Sequence, residues 1–370
     1  MGETRVALTP NVVPLLLNDG HEVLVEAGAG VRAHCVDARY AEAGVRIVGD
    51  AAALYAQADA IFRVQPPDSR VAEMMREGTI CMGLLAPIAH ADVMEILAQR
   101  QITSYALELI PRISRAQGMD ALTSMATVAG YKAVVLAADR LGKMFPLMMT
   151  AAGTVAPAKV LVLGVGVAGL QAIATAKRLG ARVTAFDPRA AVREQVQSLG
   201  ASFLEMELGE DVEMSSGYAR EQSDVFLRRE QATIGEHLPE VDVVICAAQV
   251  FGKRAPVLIT AEMVGQMRPG AVVVDLAAEQ GGNCELTRSG YETDHGGVTI
   301  IAADNLPSLV PTDASQLYAR NVVNLFRYLY PRDGNAPGST DEIVQAAWVT
   351  RDGEIVNAAV RAALQQGATA

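Results

Sequence analysis

The stretch that most constrains this chain runs from residue 159 to residue 189 and reads KVLVLGVGVAGLQAIATAKRLGARVTAFDPR. A short apolar run at 160–163 leads into a glycine-rich turn at 164–169, which a helix-like segment and a second β-rich run follow. This order of strand, G-x-G-x-x-G turn, helix and strand is typical of a site for a dinucleotide. Asp187 ends the second run, where an acid can bind a ribose 2′-hydroxyl. The stretch therefore predicts a bound dinucleotide.

Each position of the glycine-rich turn has an expected role. Gly164 allows the tight bend, Gly166 lets the backbone approach a pyrophosphate, and Gly169 lets the helix pack closely on the strand. We expect Val165, Gly166 and Val167 to line the pyrophosphate. The free N–H groups and the positive dipole end at the start of the following helix favour the same anion.

Two further segments are expected to contact the nucleotide. Asp187 would repel a 2′-phosphate, which favours NAD over NADP. Arg189 lies two residues beyond Asp187, after Pro188, and weakens this preference because an arginine can attract a 2′-phosphate. The alternative is that Arg189 only starts a helix. Ala248 and Gln249 follow an apolar strand. Because ligands of open α/β sheets lie beyond the carboxyl ends of strands, both are predicted adenine or ribose contacts.

Composition excludes several functional classes. The 370 residues carry a net charge of −11, which argues against nucleic acid and anionic membrane surfaces as partners. The four cysteines and five histidines form no CxxC pair and no metal-spaced cluster, so neither a disulfide framework nor a metal site is predicted. No uninterrupted apolar run is long enough for a membrane span. We expect a soluble cytoplasmic protein with no direct membrane insertion.

The rest of the chain alternates short strands and helices, which predicts an α/β fold with parallel sheets covered on both faces. A polar loop at 111–120 precedes a long helix at about 122–141, apolar nearly all round and therefore expected to be buried. The Met-rich stretch 144–149 is predicted to fill gaps in a core. Residues 205–237 are polar and are interpreted as an insertion with a helix at 218–231. Residues 341–366 are predicted to form two short helices, or a helix and a turn.

Several stretches together resemble one family, the NAD(H)-binding domain I of the proton-translocating nicotinamide nucleotide transhydrogenases, which is related to alanine dehydrogenase. The resemblance covers essentially the whole chain, and RISRAQGMD at 112–120 is its most specific part. The other main stretches are GETRVALTP at 2–10, DLAAEQGGN at 275–283 and DEIVQAAWVTRDGE at 341–354.

This resemblance implies two Rossmann-like, doubly wound parallel-sheet domains, the first of them discontinuous. The first domain would comprise 1–122 and 313–370, and the NAD(H)-binding domain 123–312 with the insertion at 205–237. Family members usually begin earlier, with a strand, so the first domain is expected either to be truncated or to lack an edge strand.

The resemblance also implies roles for single residues. Arg112, Gln117 and Asp120 match a loop that holds the nicotinamide end of NAD(H) at the catalytic site, with Arg112 and Asp120 paired. Thr123 stands where the family usually has a serine. Cofactor contacts are further implied along this loop and in a mobile segment that closes over the nucleotide: Ile113, Ser114, Gly118, Met119, Gly217 and Tyr218.

Further implications concern partners. Domain I would transfer hydride directly between NADH and NADP⁺, with NADP(H) held on a partner subunit and protons conducted by a membrane-spanning one. A homodimer is implied, peripheral to the inner membrane through these subunits. Since the sequence itself shows no membrane helix, it resembles the split form, in which domain I is a separate subunit.

Two alternatives remain open from the sequence. An alanine dehydrogenase needs proton-transfer residues, but Gln65 stands where such relatives have a lysine, and their histidine falls near Ala86. His90 is close by but is expected to begin a helix. Arg5, a carboxylate binder in the dehydrogenases, is shared by both groups and is expected to be salt-bridged here. A nucleotide-binding scaffold or sensor without a catalytic partner is the second alternative.

Overall fold

The computed structural model describes residues 2–206, 224–249, 254–302 and 304–367. Contacts divide the chain into two compact units. One is Ala126–Leu306, called here the glycine-loop unit, and the other joins Gly2–Met125 to Pro307–Ala370 and is called the terminal unit. Both contain parallel strands and helices, so the predicted α/β class is confirmed. The domain boundaries given above stay a prediction.

The helices and strands are short, apart from two long helices. The strands are β1 (Leu24–Glu26), β2 (Arg46–Val48), β3 (Ala60–Phe62), β4 (Ile80–Gly83), β5 (Thr103–Ala106), β6 (Met148–Thr150), β7 (Gly153–Val155), β8 (Lys159–Leu163), β9 (Arg182–Phe186), β10 (Ser202–Leu204), β11 (Val243–Cys246), β12 (Val272–Asp275), β13 (Glu292–His295), β14 (Val298–Ile301), β15 (Trp348–Arg351) and β16 (Glu354–Ile355). The helices are α1 (Val13–Asn18), α2 (Asp37–Glu42), α3 (Ala51–Gln57), α4 (Ser69–Met74), α5 (Ala91–Gln99), α6 (Ala121–Arg140), α7 (Val167–Arg178), α8 (Arg193–Ser198), α9 (Asp224–Gly235), α10 (Ala261–Gly265), α11 (Pro311–Leu329), α12 (Glu342–Ala347) and α13 (Ala358–Gly367).

The glycine-loop unit is built on one sheet with the strand order β10-β9-β8-β11-β12-β14-β13. All neighbours are parallel except β13, which pairs antiparallel with β14. Every residue of β11 and β12 is buried, as expected for central strands of a parallel sheet. The chain leaves β8 toward β9 on one side and later returns to β11 on the other. The carboxyl ends of β8 and β11 therefore form the switch point where such sheets bind ligands.

The terminal unit has a smaller sheet of order β16-β15-β5-β4-β3. Strands β3, β4 and β5 are parallel, and β15, from the C-terminal segment, pairs antiparallel with β5. Strands β1 and β2 form a separate parallel pair. A buried cluster beside the five-stranded sheet includes Met75, Leu97 and Val349. Because Val349 comes from the C-terminal segment, that segment completes the core that the N-terminal segment begins.

One prediction from the sequence is wrong, and one is confirmed but incomplete. The Met-rich stretch 144–149 does not lie in a core, because Met148 and Met149 belong to β6 of an exposed hairpin with β7. The segment 341–366 contains not only α12 and α13 but also the hairpin β15–β16. Asp352 and Gly353 form its turn with φ of 51° and 82°, and an Asp-Gly pair is a known signal for such a turn. Of the helix predicted at 218–231, the described part lies in α9.

Helix α6 is the one helix within the described residues that is long and apolar enough to cross a membrane. In the structure, 39% of the most apolar 18-residue stretch of this helix is buried inside the protein. Only Tyr131, Asp139 and Arg140 are exposed, which agrees with the prediction of a largely covered helix.

Candidate functional site

The glycine loop, residues 164–169, joins β8 to α7 at the switch point. Gly164 has φ +90°, and a Cβ added there would lie 2.6–2.7 Å from the backbone of Ala247 and Ala248, which follow β11. A Cβ on Gly169 would lie 1.9 Å from the carbonyl oxygen of Gly164. A side chain is therefore excluded at both positions by the packing of the fold itself.

Gly166 differs from these two glycines because a Cβ added to it would meet no atom of the described residues within 4 Å. Gly166 is the residue immediately before α7, a helix of 12 residues whose N-terminus has no side-chain cap. Uncapped N–H groups and open space above a glycine are what a pyrophosphate requires. The residues present thus fit a dinucleotide, and the predicted phosphate contacts of Gly166 and Val167 stay a prediction.

Asp187, just after β9, is 6% exposed, and both of its carboxylate oxygens accept hydrogen bonds. The Val165 N–H donates to Oδ2 at 2.8 Å. The Arg189 N–H donates to Oδ1 at 2.9 Å, and its guanidinium bonds both oxygens at 2.9 Å. The hydrogen bonds to Asp187 raise the pKa of Arg189. Asp187 therefore anchors the glycine loop, and both of its carboxylate oxygens are bonded to Arg189. Pro188 joins the two residues.

Ala248 and Gln249 follow β11, next to the glycine loop. The Ala248 N–H and carbonyl oxygen are both bonded to the side chain of Asn283, at 3.0 and 2.8 Å. The Gln249 amide donates to the Leu276 carbonyl oxygen at 2.6 Å, although the side chain is exposed. These predicted contact residues are thus held by groups that follow β12.

The polar loop, residues 111–120, belongs to the terminal unit and contains the 3₁₀ helix Ser114–Met119. Its backbone is fixed from α11, where Asn321 and Asn324 donate to the Gly118 carbonyl oxygen at 3.0 and 2.9 Å. Arg115 pairs with Asp341 at 2.7 Å and also with Glu342. Met119 is buried, and its predicted contact with the cofactor stays a prediction.

Three side chains of this loop are predicted to act at the nicotinamide end, and their surroundings differ. Arg112 and Gln117 are exposed, and neither side chain bonds to another described residue, which leaves both available to a ligand. Ile113 is half-buried and Ser114 exposed. The expected pair of Arg112 with Asp120 is absent. Asp120 instead caps α6 by accepting from the N–H and hydroxyl of Thr123 at 2.8 and 2.6 Å, because the first N–H groups of a helix need an acceptor.

Arg5 lies in the terminal unit and is buried, as expected for a salt-bridged arginine. Its Nε and a terminal nitrogen donate to the two carboxylate oxygens of Glu3, both at 2.8 Å. Gln65 donates to the same carboxylate at 3.0 Å, and Ser308 at 2.8 Å. Burial would raise the pKa of Glu3, but the hydrogen bonds and charge of Arg5 outweigh it and hold this pKa well below its usual range. The Arg5 guanidinium is thus already paired with the carboxylate of Glu3.

Two family models divide the chain between them. The model described as "Alanine dehydrogenase/PNT, C-terminal domain" matches residues 133–358, and "Alanine dehydrogenase/PNT, N-terminal domain" matches residues 1–129.

The chain belongs to the alanine dehydrogenase/PNT family.

Both branches of this family are similar to the chain. It is 46% identical over 368 residues to a Rhodospirillum rubrum protein named as one piece of NAD(P) transhydrogenase subunit alpha, covering 97% of this chain and 96% of the relative. It is 30% identical over 337 residues to alanine dehydrogenase of Bacillus subtilis, covering 87% and 83%. A solved transhydrogenase from Sinorhizobium meliloti matches with a TM-score of 0.84 at 40% identity, over 96% of both chains. An L-alanine dehydrogenase matches at 0.82 and 27%, over 98% of this chain and 96% of the other. The predicted resemblance is confirmed.

Some residues of the candidate site cannot be identified from the sequence alone, even though the alanine dehydrogenase/PNT family is known. Asn283 and Arg115 hold the two predicted ligand-contacting segments, but the sequence alone singles out neither. The signal for Asn283 is its place after two glycines beyond an apolar strand. Gly217 and Tyr218 lie outside the described residues. Among the residues described, no group of three or more His, Cys, Asp or Glu side chains is arranged to hold a metal ion.

Proposed function

We propose that this chain is the NAD(H)-binding component of a proton-translocating transhydrogenase. It would pass hydride directly between NADH bound here and NADP⁺ bound on a partner subunit. The proposal is supported by the open backbone at Gly166, together with Gln65, which by the resemblance stands where alanine dehydrogenases have a lysine. Their histidine position falls near Ala86.

The chemistry explains why this combination is informative. Hydride transfer from NADH to NADP⁺ yields NAD⁺ and NADPH, with no proton gained or lost at the reacting carbons. Such a step depends on the position of the two rings and on exclusion of water. When bound, the nicotinamide supplies the hydride donor or acceptor. An amide such as Gln65 can orient a neighbour but cannot act as a general acid or base near neutral pH.

The described residues suggest how the chain would hold the nucleotide. Gly166 and the first N–H groups of α7 would bind the pyrophosphate, and Asp187 the adenosine ribose. Arg112 and Gln117, unpaired among the described side chains, would bind at the nicotinamide end, as the sequence resemblance implies. Because the buried Arg5 is paired with the half-buried Glu3, a small carboxylate substrate would first have to displace Glu3, which disfavours the alanine dehydrogenase alternative.

The proposed partners follow from the name of the Rhodospirillum rubrum relative, which is one piece of a subunit alpha. We infer a membrane-spanning subunit that conducts protons and a subunit that binds NADP(H), with this chain attached peripherally at the inner membrane through them. We also infer a homodimer.

The decisive experiment mixes the purified chain with an NADP(H)-binding partner subunit and follows reduction of a NAD⁺ analogue by NADPH. Rapid exchange is expected, and L-alanine with NAD⁺ should give no NADH. NADH binding should be measured first by its fluorescence. Binding without exchange would favour the sensor alternative, while NADH formation from L-alanine would favour the dehydrogenase.

A further inference from the structure

Asn283 is a fully buried asparagine whose side-chain amide bonds to two points of the chain that follow β11. Its Oδ1 accepts the Ala248 N–H at 3.0 Å. Its Nδ2 donates to the carbonyl oxygens of Ala248 and Pro256, both at 2.8 Å. Both donors of the amide are thus used. A buried amide with every donor satisfied holds its partners in one geometry.

The side chain is itself held by a buried carboxylate at the end of β12. Asp275 is inaccessible to solvent and accepts the N–H groups of Asn283 and Cys284 at 2.8 and 3.0 Å. It also accepts the N–H of Ala277 and the hydroxyl of Thr287. These bonds fold the segment after β12 back on itself and fix where the Asn283 amide points.

Two glycines make that folded segment possible. Gly281 and Gly282 have φ of +96° and +81°, which favour glycine. A Cβ on Gly282 would also lie 3.0 Å from Oδ2 of Asp275. The backbone can therefore approach the carboxylate closely enough for Asn283 to be placed below the loop after β11.

The segment that Asn283 holds is part of the nucleotide cradle. Ala247 and Ala248 lie directly against Gly164, with space for no Cβ between them. Gln249 follows immediately. A shift of Ala248 would therefore move both the bend that begins the glycine loop and the residue predicted to contact adenine or ribose.

We propose that Asn283 is a positioning residue for the nucleotide site: its amide holds Ala248 against Gly164 and sets the direction of Gln249. This inference rests on the proposed NAD(H) binding. The loss of the amide would weaken NADH binding beyond any effect on folding, because small displacements of a binding group are costly.

The test compares Asn283→Ala with Thr350→Val as a matched control. Thr350 is equally buried, and its hydroxyl bonds to Ile102 and Ser104 in the terminal unit, both at 2.7 Å, so its loss removes buried hydrogen bonds without touching the cradle. The dissociation constant for NADH is measured by fluorescence, well below the melting temperature of each variant. Amide hydrogen exchange at Ala248 is measured without nucleotide.

We expect Asn283→Ala to weaken NADH binding about 10- to 100-fold and to accelerate exchange at Ala248. Thr350→Val should bind NADH within about twofold of the wild type while melting at a lower temperature. Unchanged affinity in a folded Asn283→Ala protein would overturn the proposal. If that variant does not fold, Asn283→Ser, which keeps one hydroxyl donor, should still weaken binding, and wild-type affinity in it would overturn the proposal equally. A wild-type protein that binds no NADH would instead refute the proposed function, and this inference with it.

Discussion

Gly166 and Gly169 lie three residues apart in one motif, yet the structure gives them different reasons to be glycine. Gly169 is required by the fold, since its Cα lies against the carbonyl of Gly164. Gly166 faces open space and has a φ of −85° that any residue can adopt, so the fold itself does not require a glycine there. The motif thus combines one glycine that packing requires with one that packing does not require, where we expect a ligand.

This difference predicts opposite results for two alanine substitutions. Gly166→Ala should keep the wild-type melting temperature and weaken NADH binding at least about tenfold, or ~1.4 kcal/mol, because a methyl group enters the cradle. Gly169→Ala should lower the free energy of unfolding by about 1–3 kcal/mol, because the strand and helix must move apart. Urea unfolding and NADH fluorescence titration measure both. Full NADH affinity in Gly166→Ala would show that the open space is not the phosphate site.

Asp187 and Arg189 together set the expected preference between nucleotides. Asp187→Ala removes the ribose acceptor and frees the Arg189 guanidinium, which can then attract a 2′-phosphate. The ratio of NADH to NADPH affinity should fall about tenfold or more. Adding Arg189→Ala should cancel the gain in NADPH binding. Parallel fluorescence titrations with both nucleotides measure the ratio, and no change in it would exclude Asp187 as the specificity residue.

At the scale of helices and strands, the sequence best predicts those elements whose bounds are set by residues close by in the chain. The β8–α7–β9 segment is predicted to within a residue or two, because an apolar run, a glycine bend and a terminal glycine all act locally. The prediction for the Met-rich stretch fails since composition does not say which side of a hairpin is covered. Strands β15 and β16 are missed because β15 is stabilised by pairing with β5, more than 200 residues away in the chain.

The same reasoning applies to the candidate site. Gly166 and Asp187 can be singled out as candidates because they lie at fixed places in one local strand–turn–helix–strand pattern. The Asn283 amide cannot, because its partners come together only when the segments after β11 and β12 fold. The predicted partner of Asp120 is wrong because an acid before a helix can serve either as a cap or in an ion pair, and the sequence does not distinguish them.

The ends of β4 and β5 are joined by Glu108, which accepts the N–H groups of Leu85 and Ala86. Burial, opposed by these hydrogen bonds, raises the pKa of Glu108 from 4.5 to about 7. Between these values the folded protein keeps a proton that the unfolded chain has lost. The contribution of Glu108 to stability is therefore complete below pH 4.5 and declines as the pH rises to about 7.

Glu108→Gln should remove this decline, because a neutral amide does not titrate. The free energy of unfolding, measured by urea at pH 5 and pH 7.5, should fall less between the two values in the variant than in the wild type, by at most about 1.4 kcal/mol per pH unit. Glu42→Gln, at an exposed position on α2, serves as the control and should behave as the wild type. Equal pH dependence in all three proteins would contradict the assignment.

At the scale of the whole molecule, the proposed homodimer needs an apolar surface. Met149 is 78% exposed in the β6–β7 hairpin, and Leu147 and Met148 beside it are 55% and 40% exposed. Adjacent exposed apolar side chains on a hairpin are typical of a surface that another chain covers.

Met149→Asp should convert a dimer into a monomer in sedimentation equilibrium, because a charge would have to be buried at the interface. Val225→Asp provides the comparison, since Val225 is 59% exposed on α9, away from the hairpin in sequence. It should leave the mass unchanged. A wild-type protein that sediments as a monomer would refute the homodimer itself.

If NAD(H) binds at Asp187 as proposed, the ion pair of Arg189 with Asp187 competes with the ligand. Ribose hydroxyls that bind Asp187 must displace the guanidinium, so the observed dissociation constant is the intrinsic one divided by the fraction of molecules with the pair open. Because the Arg189 side chain is 42% exposed, added salt weakens the pair and raises that fraction. A closed pair in the free protein would thereby slow the loading of NAD(H), while the residence time of the bound nucleotide would still be set by its own contacts.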